Sequence, residues 1–192
     1  AAYKYSPGGT LVWRFLSIFV LHSTPVIDEV RRVLYFGGND GRLLSLSLST
    51  GDPVGCFTAG GAISSSPALL PDGSVVFASE DGFLYGCSPG CKRQLWKTSI
   101  NGPVSAGAPS TPAAPRGNAS PYFMSSPIIL GGGELIVVVN FRGAVIAVSP
   151  SDGVLQWTAS LANSLGTGVA ASPAVGRDGS LYVPDYGGNL HA

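Results

Sequence analysis

The chain has 192 residues, of which 45% are hydrophobic and only 11% are charged. A chain of this size and hydrophobicity can bury a sizeable core, and it is too apolar to be intrinsically disordered. Eleven basic residues balance eleven acidic ones, and the largest basic cluster is the pair Arg31 and Arg32, so we expect no nucleic-acid binding.

The N-terminal part carries its longest charge-free apolar run at residues 15–27. This run includes His22 and Pro25 and is shorter than the roughly 20 apolar residues that a membrane-spanning helix needs. We therefore expect no transmembrane span. The 27 glycines and 15 prolines separate short apolar runs along the whole chain, which is typical of many short strands joined by tight turns.

Three landmarks recur in the same order along the chain, at intervals of about 40 to 60 residues. A Ser-Pro or Thr-Pro pair occurs at Pro25, Pro67, Pro127 and Pro173. A turn glycine occurs at Gly41, Gly82, Gly143 and Gly188. A position 14 residues after the glycine holds Gly55, Trp96 and Trp157, and Trp13 lies 42 residues before Gly55.

The landmarks divide the chain into units that each contain four apolar runs with strand character. The predicted division has three full units, at residues 23–58, 64–99 and 124–160. The end of one unit precedes them at residues 1–16, and the start of another follows at residues 171–192. Four short antiparallel strands per repeat are typical of a β-propeller blade. A β-sandwich is the main competing all-β fold, but it gives no reason for tryptophan to recur at a fixed offset.

The tryptophan positions lie in a pattern that resembles the PQQ-like, or quinoprotein alcohol dehydrogenase-like, β-propeller repeat, A-x-D-x-x-T-G-x-x-x-W. Residues 147–157 ("AVSPSDGVLQW") keep its spacing, residues 3–13 and 45–55 keep parts of it, and residues 86–96 keep only the tryptophan. In that family the indole packs between neighbouring blades. The resemblance implies a structural docking role for Trp13, Trp96, Trp157, Gly9, Gly51 and Gly153.

The units add up to about four blade-equivalents, whereas rings of this family have about eight blades. We therefore expect an arc of a larger propeller whose remaining blades, or other protein partners, cover its ends. The charged fraction of 11%, against about 25% in typical soluble domains, also indicates covered surface. Gly55 replaces a docking tryptophan, and we expect Phe57 to fill the resulting gap.

Residues 102–121 form a Pro/Ala/Ser/Gly-rich insertion between two units, interpreted either as a tolerated surface loop or as a partner-binding arm. Propeller topology places it on the same face as the turns that follow each second strand. Asn118 begins an N-glycosylation acceptor tripeptide within it.

Cys87 and Cys91 flank the turn "CSPGC". They fit a disulfide, a pair of free thiols or, least well, half of a metal site. Cys56 is left over as a semi-buried thiol. The sequon and the cysteine pair favour an extracytoplasmic or secretory compartment.

Quinone-dependent dehydrogenases of this fold hold a quinone and Ca²⁺ in a central funnel and often carry adjacent cysteines. This sequence has no adjacent cysteines, and most of its acids precede a turn glycine, where local hydrogen bonding is the usual role. His22 and His191 lie far apart with no nucleophile signature.

We therefore predict no catalytic residues, no cofactor and no metal, and a non-catalytic scaffold for protein–protein interaction within a larger protein or assembly. One alternative is a fragment of a quinone-dependent dehydrogenase whose catalytic residues lie outside this segment. Another is a sensing or carbohydrate-contacting propeller domain.

Overall fold

The structure, a computed structural model, describes residues 1–21, 23–100, 125–161, 169, 171–185 and 187–192. The insertion at 102–121, the sequon at Asn118 and His22 lie outside these residues. The described part is almost entirely β-strand and turn, with one short 3-10 turn at Pro89–Cys91.

The strands form five antiparallel sheets in chain order, numbered 1 to 5. Sheet 1 consists of β1 (Ala2–Tyr5) and β2 (Leu11–Phe15). Sheet 2 consists of β3 (Val26–Asp28), β4 (Val33–Gly37), β5 (Arg42–Ser47) and β6 (Pro53–Thr58). Sheet 3 consists of β7 (Ala68–Leu69), β8 (Val75–Ser79), β9 (Phe83–Cys87) and β10 (Gln94–Ser99). Sheet 4 consists of β11 (Ile128–Leu130), β12 (Leu135–Val139), β13 (Ala144–Val148) and β14 (Leu155–Ser160). Sheet 5 consists of β15 (Ala174–Val175), β16 (Leu181–Pro184) and β17 (Leu190–His191).

Each strand pairs with the next strand in the chain, so every sheet is a simple meander. The predicted all-β fold of four-stranded antiparallel blades is confirmed. The turn glycines between the second and third strands, Gly41, Gly82, Gly143 and Gly188, have φ values of 77–85°. Glycine adopts this left-handed conformation without a Cβ clash, which explains why the landmark is a glycine.

The core lies between successive sheets rather than inside any one of them. Four apolar clusters join sheets 1 and 2, 2 and 3, 3 and 4, and 4 and 5. On β8, Val75 and Phe77 face sheet 2, whereas Val76 and Ala78 face sheet 4. Because both faces are covered, β8, β12 and β13 are nearly continuous hydrophobic runs without polar alternation.

Candidate functional site

The first predicted docking residue, Trp13 on β2, packs on the next sheet at Gly51. A Cβ added to Gly51 would lie 2.7 Å from the indole ring, so only glycine leaves room for the contact. The indole nitrogen of Trp13 donates a 3.0 Å hydrogen bond to the carbonyl oxygen of Leu48, three residues before the glycine. The indole therefore bridges sheets 1 and 2 by stacking and by one directional bond.

Trp96 on β10 repeats this arrangement between sheets 3 and 4. Its ring covers Gly153, where an added Cβ would lie 2.6 Å from Cε3, and its nitrogen donates a 2.9 Å hydrogen bond to the carbonyl oxygen of Pro150. The hydroxyl of Thr98 donates a 2.6 Å bond to the Gly153 carbonyl oxygen. Trp96 is 6% exposed, so this seam is tightly closed.

The two remaining docking residues of the set are Gly9 in sheet 1, the first sheet of the arc, and Trp157 in sheet 4, next to the three-stranded sheet 5. Gly9 has φ 79°, and an added Cβ would meet nothing within 4 Å. Trp157 on β14 is 37% exposed. Sheet 1 thus presents a glycine turn without an indole in contact, and sheet 4 presents, toward sheet 5, an indole that is partly open to solvent.

The expectation that Phe57 fills the gap at Gly55 is wrong. A Cβ at Gly55 would overlap with the carbonyl oxygen of Gly90, in the 3-10 turn of sheet 3. The side chain of Phe57 instead packs against the rings of Phe77 and Tyr85, at centroid distances of 5.6 and 5.4 Å. The missing indole is thus replaced by a backbone turn of the neighbouring sheet.

Two hydrogen bonds from sheet 2 hold this turn. The hydroxyl of Ser45 donates toward the carbonyl oxygens of Gly90, at 3.1 Å, and of Gly55, at 2.9 Å. The backbone N–H of Gly90 donates a 3.0 Å bond to the hydroxyl oxygen of Tyr35. Burial raises the pKa of Tyr35, so its hydroxyl stays protonated and neutral in this seam.

Cys87 and Cys91 flank the same turn as free thiols whose sulfur atoms are 3.2 Å apart. Both are fully buried. The hydrogen bond with Cys87 and burial raise the pKa of the Cys91 thiol. Cys56 is exposed, so the expectation that it is semi-buried is wrong.

The Ser/Thr-Pro landmark also marks contacts between sheets, which the sequence analysis recorded without assigning a role. The N–H groups of Thr24, Ser66 and Ser126 donate to the hydroxyl oxygens of Ser66, Ser126 and Ser172, at 3.0, 2.9 and 3.0 Å. Each of these residues precedes a landmark proline. The serines therefore form a continuous polar belt across sheets 2 to 5.

The connecting-loop face is the end of the sheets that carries the turns at Gly41, Gly82, Gly143 and Gly188 together with the described segments that join sheets 1 and 2 and sheets 2 and 3. In two described connections, between sheets 1 and 2 and between sheets 2 and 3, the connecting segment lies against these turns. The N–H of Asn39 donates a 3.0 Å bond to the Val20 carbonyl oxygen, and the N–H of Gly60 donates a 2.9 Å bond to Asp81.

On this face, four side chains of the connection between sheets 1 and 2 form an apolar segment. Leu16, Ile18, Phe19 and Val20 are 64%, 91%, 36% and 59% exposed. The guanidinium of Arg42, paired with Asp40 at 3.2 Å, lies over the Phe19 ring at 5.3 Å. Sequence reasoning recorded this segment only as a charge-free run, because the run itself carries no signal of exposure.

The turn acids have the local role that the sequence predicted. Each accepts a hydrogen bond from the backbone N–H two residues onward, as observed for Asp40, Asp72, Asp81, Asp152 and Asp178. Within the described ranges, no three His, Cys, Asp or Glu side chains group as metal ligands would. No helix in that part of the chain is long and apolar enough to cross a membrane.

His191 contacts an acid in sheet 5. Its Nε2 lies 2.9 Å from Asp185, whose side chain also accepts bonds from the backbone and side-chain nitrogens of Asn189. His191 first, and then Asn189, hold the pKa of the Asp185 carboxyl well below its ordinary value. The arrangement closes the turn between β16 and β17.

Four-stranded antiparallel sheets in succession, with indoles seated on glycine turns of the next sheet, define a PQQ-like β-propeller architecture. Residues 3–192 match the family model PQQ_2, described as "Outer membrane protein assembly factor BamB", and the chain belongs to this family. No curated protein sequence matches it.

Solved structures show the same fold. BamB from Moraxella catarrhalis has a TM-score of 0.74 at 18% identity, over 98% of this chain and 50% of that chain. The C-terminal WD40 domain of Sif2 has a TM-score of 0.69 at 14% identity, over 95% and 51% of the two chains. The designed protein Ika4 has a TM-score of 0.69 at 11% identity, over 95% and 96%. The chain thus spans about half the length of BamB.

Proposed function

We propose that this propeller segment is a non-catalytic scaffold that binds a protein partner through its connecting-loop face. The observation that carries the proposal is the apolar segment at Leu16, Ile18, Phe19 and Val20, in which Ile18 is 91% exposed. Apolar side chains grouped at the surface mark protein-interaction sites more often than single exposed ones do.

The segment is held in place by contacts to sheet 2, which favours binding. The carbonyl oxygen of Val20 accepts the Asn39 N–H, Leu21 forms a β-bridge with Gly38, and Arg42 covers one face of Phe19. A surface that is ordered before binding loses less conformational entropy when it binds. The partner that fits has an apolar patch able to cover Ile18.

The name of the family agrees with this role, since its model is described as an assembly factor, and an assembly factor works through contacts with other proteins. The two alternatives, a fragment of a quinone-dependent dehydrogenase and a sensing or carbohydrate-contacting propeller, rest on the fold alone. A shared propeller fold does not define a function.

Gly9 and Trp157 support a second kind of contact, with further parts of the propeller. The exposed indole of Trp157 and the open turn at Gly9 are the two halves of the contact that Trp96 and Gly153 make inside the arc. We propose that a fourth strand of sheet 5 brings the glycine turn for Trp157, in the turn after β17, and that a preceding blade supplies the indole for Gly9.

The test compares Ile18→Asp with Val30→Asp in the full-length protein. Val30 is 88% exposed in the turn between β3 and β4, at the opposite end of the sheet, and therefore serves as a matched control. Both variants are purified with their bound proteins from source cells and quantified by mass spectrometry, after equal thermal stability has been established.

We expect a protein that wild type and Val30→Asp retain equally and that Ile18→Asp loses by about tenfold or more, equivalent to ~1.4 kcal/mol of binding energy. Equal recovery with all three proteins would exclude the connecting-loop face as the binding surface.

A further inference from the structure

We propose that Cys87 and Cys91 are a disulfide-forming pair that locks the turn of sheet 3 onto Gly55 of sheet 2, at the one described seam where a glycine holds the tryptophan position. This inference concerns how the arc is held together and does not depend on the proposed binding surface.

The positions of the two sulfur atoms favour a bond. Cys87 is the last residue of β9 and Cys91 the last residue of the 3-10 turn, and their Sγ atoms are 3.2 Å apart. A disulfide needs about 2.05 Å, so the sulfurs have to approach by only about 1 Å. Side-chain rotation can supply a movement of that size without displacing the sheet.

The surroundings disfavour the other roles that the sequence left open. Both cysteines are fully buried in the apolar cluster between sheets 2 and 3, among Val75, Phe77 and Tyr35. A raised pKa keeps Cys91 a thiol, the less reactive form for metal binding or nucleophilic attack. Among the described residues, no third metal-ligating side chain completes a metal-type group with the pair.

The turn between the cysteines has a backbone that a crosslink would stabilise. Gly90 has φ 78° and Cys91 has φ 54°, a left-handed conformation that costs free energy for a residue with a Cβ. This conformation directs the Gly90 carbonyl oxygen against Gly55 and its N–H toward Tyr35. A bond between the sulfurs restricts the turn in the unfolded chain and so favours the docked state.

The bond forms by two thiol–disulfide exchanges with a small-molecule disulfide such as oxidised glutathione. One cysteine, as a thiolate, attacks a sulfur of the oxidant, giving a mixed disulfide and releasing one thiol. The second cysteine attacks the mixed disulfide, forming the Cys87–Cys91 bond and releasing the second thiol. Both cysteine protons end on the two released thiols, and the oxidant takes up two electrons.

Burial determines when these exchanges take place. Because neither sulfur is exposed, the oxidant reaches the pair only while the turn is open, during folding or local unfolding. Once the seam has closed, the bond is shielded from reductants. Exposed Cys56 remains available to reagents throughout and serves as an internal reference.

The experiment uses the full-length protein equilibrated, while unfolded and during refolding, with a glutathione buffer rich in the oxidised form. It is then denatured without reductant, alkylated and mapped by mass spectrometry, with Cys56→Ser as a control for glutathione attached to the exposed thiol. We expect a peptide that joins Cys87 to Cys91 and lacks two hydrogen atoms, with alkylation of these three cysteines confined to Cys56.

When the bond is reduced in the unfolded protein and the protein is refolded, we expect its Tm to be about 5 °C lower than that of the oxidised protein. This is the size of effect expected for loss of a crosslink that closes a short loop in a chain of this length. The Cys87→Ser/Cys91→Ser variant should not respond to the reductant, whereas Cys56→Ser should respond fully. Alkylation of both Cys87 and Cys91 after the oxidising treatment, or a Tm that reduction does not change, would overturn the proposal.

Discussion

The indole nitrogen of Trp96 donates a hydrogen bond to the carbonyl oxygen of Pro150, 54 residues further along the chain, while its ring covers Gly153. This contact joins sheets 3 and 4. We expect Trp96→Ala to lower the free energy of unfolding by about 3 to 5 kcal/mol, because it leaves a large cavity in a closed seam.

Trp157 is the matched control for this change. It occupies the same position of the repeat but is 37% exposed, so Trp157→Ala should cost clearly less than Trp96→Ala in this chain. Equilibrium unfolding in urea measures both values. A loss for Trp96→Ala as small as the one expected for Trp157→Ala would contradict the docking role of Trp96.

Gly55 and Gly90 make the second kind of seam contact, from backbone to backbone. Gly55→Ala should destabilise the chain by about 1 to 3 kcal/mol, because the new methyl group overlaps with a carbonyl oxygen that has little freedom to move.

Gly8→Ala provides the control, since a Cβ at Gly8 would meet only the Ser6 hydroxyl oxygen, at 3.8 Å. Its effect should stay within about 0.5 kcal/mol, as for ordinary surface substitutions. Thermal or urea unfolding distinguishes the two, and similar stability of both variants would show that the turn moves away from Gly55 without cost.

The serine belt gives a smaller and more specific effect. Ser126→Ala removes the acceptor for the Ser66 N–H and should cost about 1 kcal/mol. Ser126→Thr keeps the hydroxyl and should be close to wild type, since Thr24 occupies the equivalent position in sheet 2. Hydrogen exchange at the Ser66 amide checks the contact directly, and unchanged protection in Ser126→Ala would exclude it.

We expect the Asp185 carboxyl to contribute to the free energy of unfolding in a way that depends on pH. Its pKa is lowered in the folded chain by His191 and Asn189, so folding favours the charged form. The contribution is complete above the ordinary carboxyl pKa of about 3.9 and is lost as the pH falls through the lowered folded value.

Asp185→Asn should therefore be less stable than wild type at neutral pH, with a difference that shrinks as the solution becomes strongly acidic. Chemical unfolding at a series of pH values measures this difference. A difference that stays constant down to the most acidic conditions would mean that the carboxyl charge is not involved.

The repeat was predictable from the sequence because each sheet uses the same residues for the same geometric reasons. Gly41 and Gly82 occur where a turn needs positive φ, and Trp13 and Trp96 occur where an indole covers the next sheet. These requirements return once per sheet, so spacing alone reveals them. The family resemblance supplied the docking role of Gly51 and Gly153.

The contacts made by backbone atoms could not be predicted in the same way. The occupant of the Gly55 gap is the carbonyl oxygen of a residue 35 positions onward, and a carbonyl leaves no side-chain signal. The serine belt likewise pairs each hydroxyl with a backbone N–H of the preceding sheet. Exposure of Ile18 depends on how far its loop extends beyond sheet 2, which composition does not encode.

The most direct test of the scaffold role is site-specific photo-crosslinking of the full-length protein in its source cells, with a photoreactive amino acid at Ile18 or, as control, at Val30. The account predicts a discrete crosslinked protein from position 18 and none from position 30, because only position 18 lies on the connecting-loop face. No crosslink from position 18, or the same crosslinked protein from both positions, would contradict it.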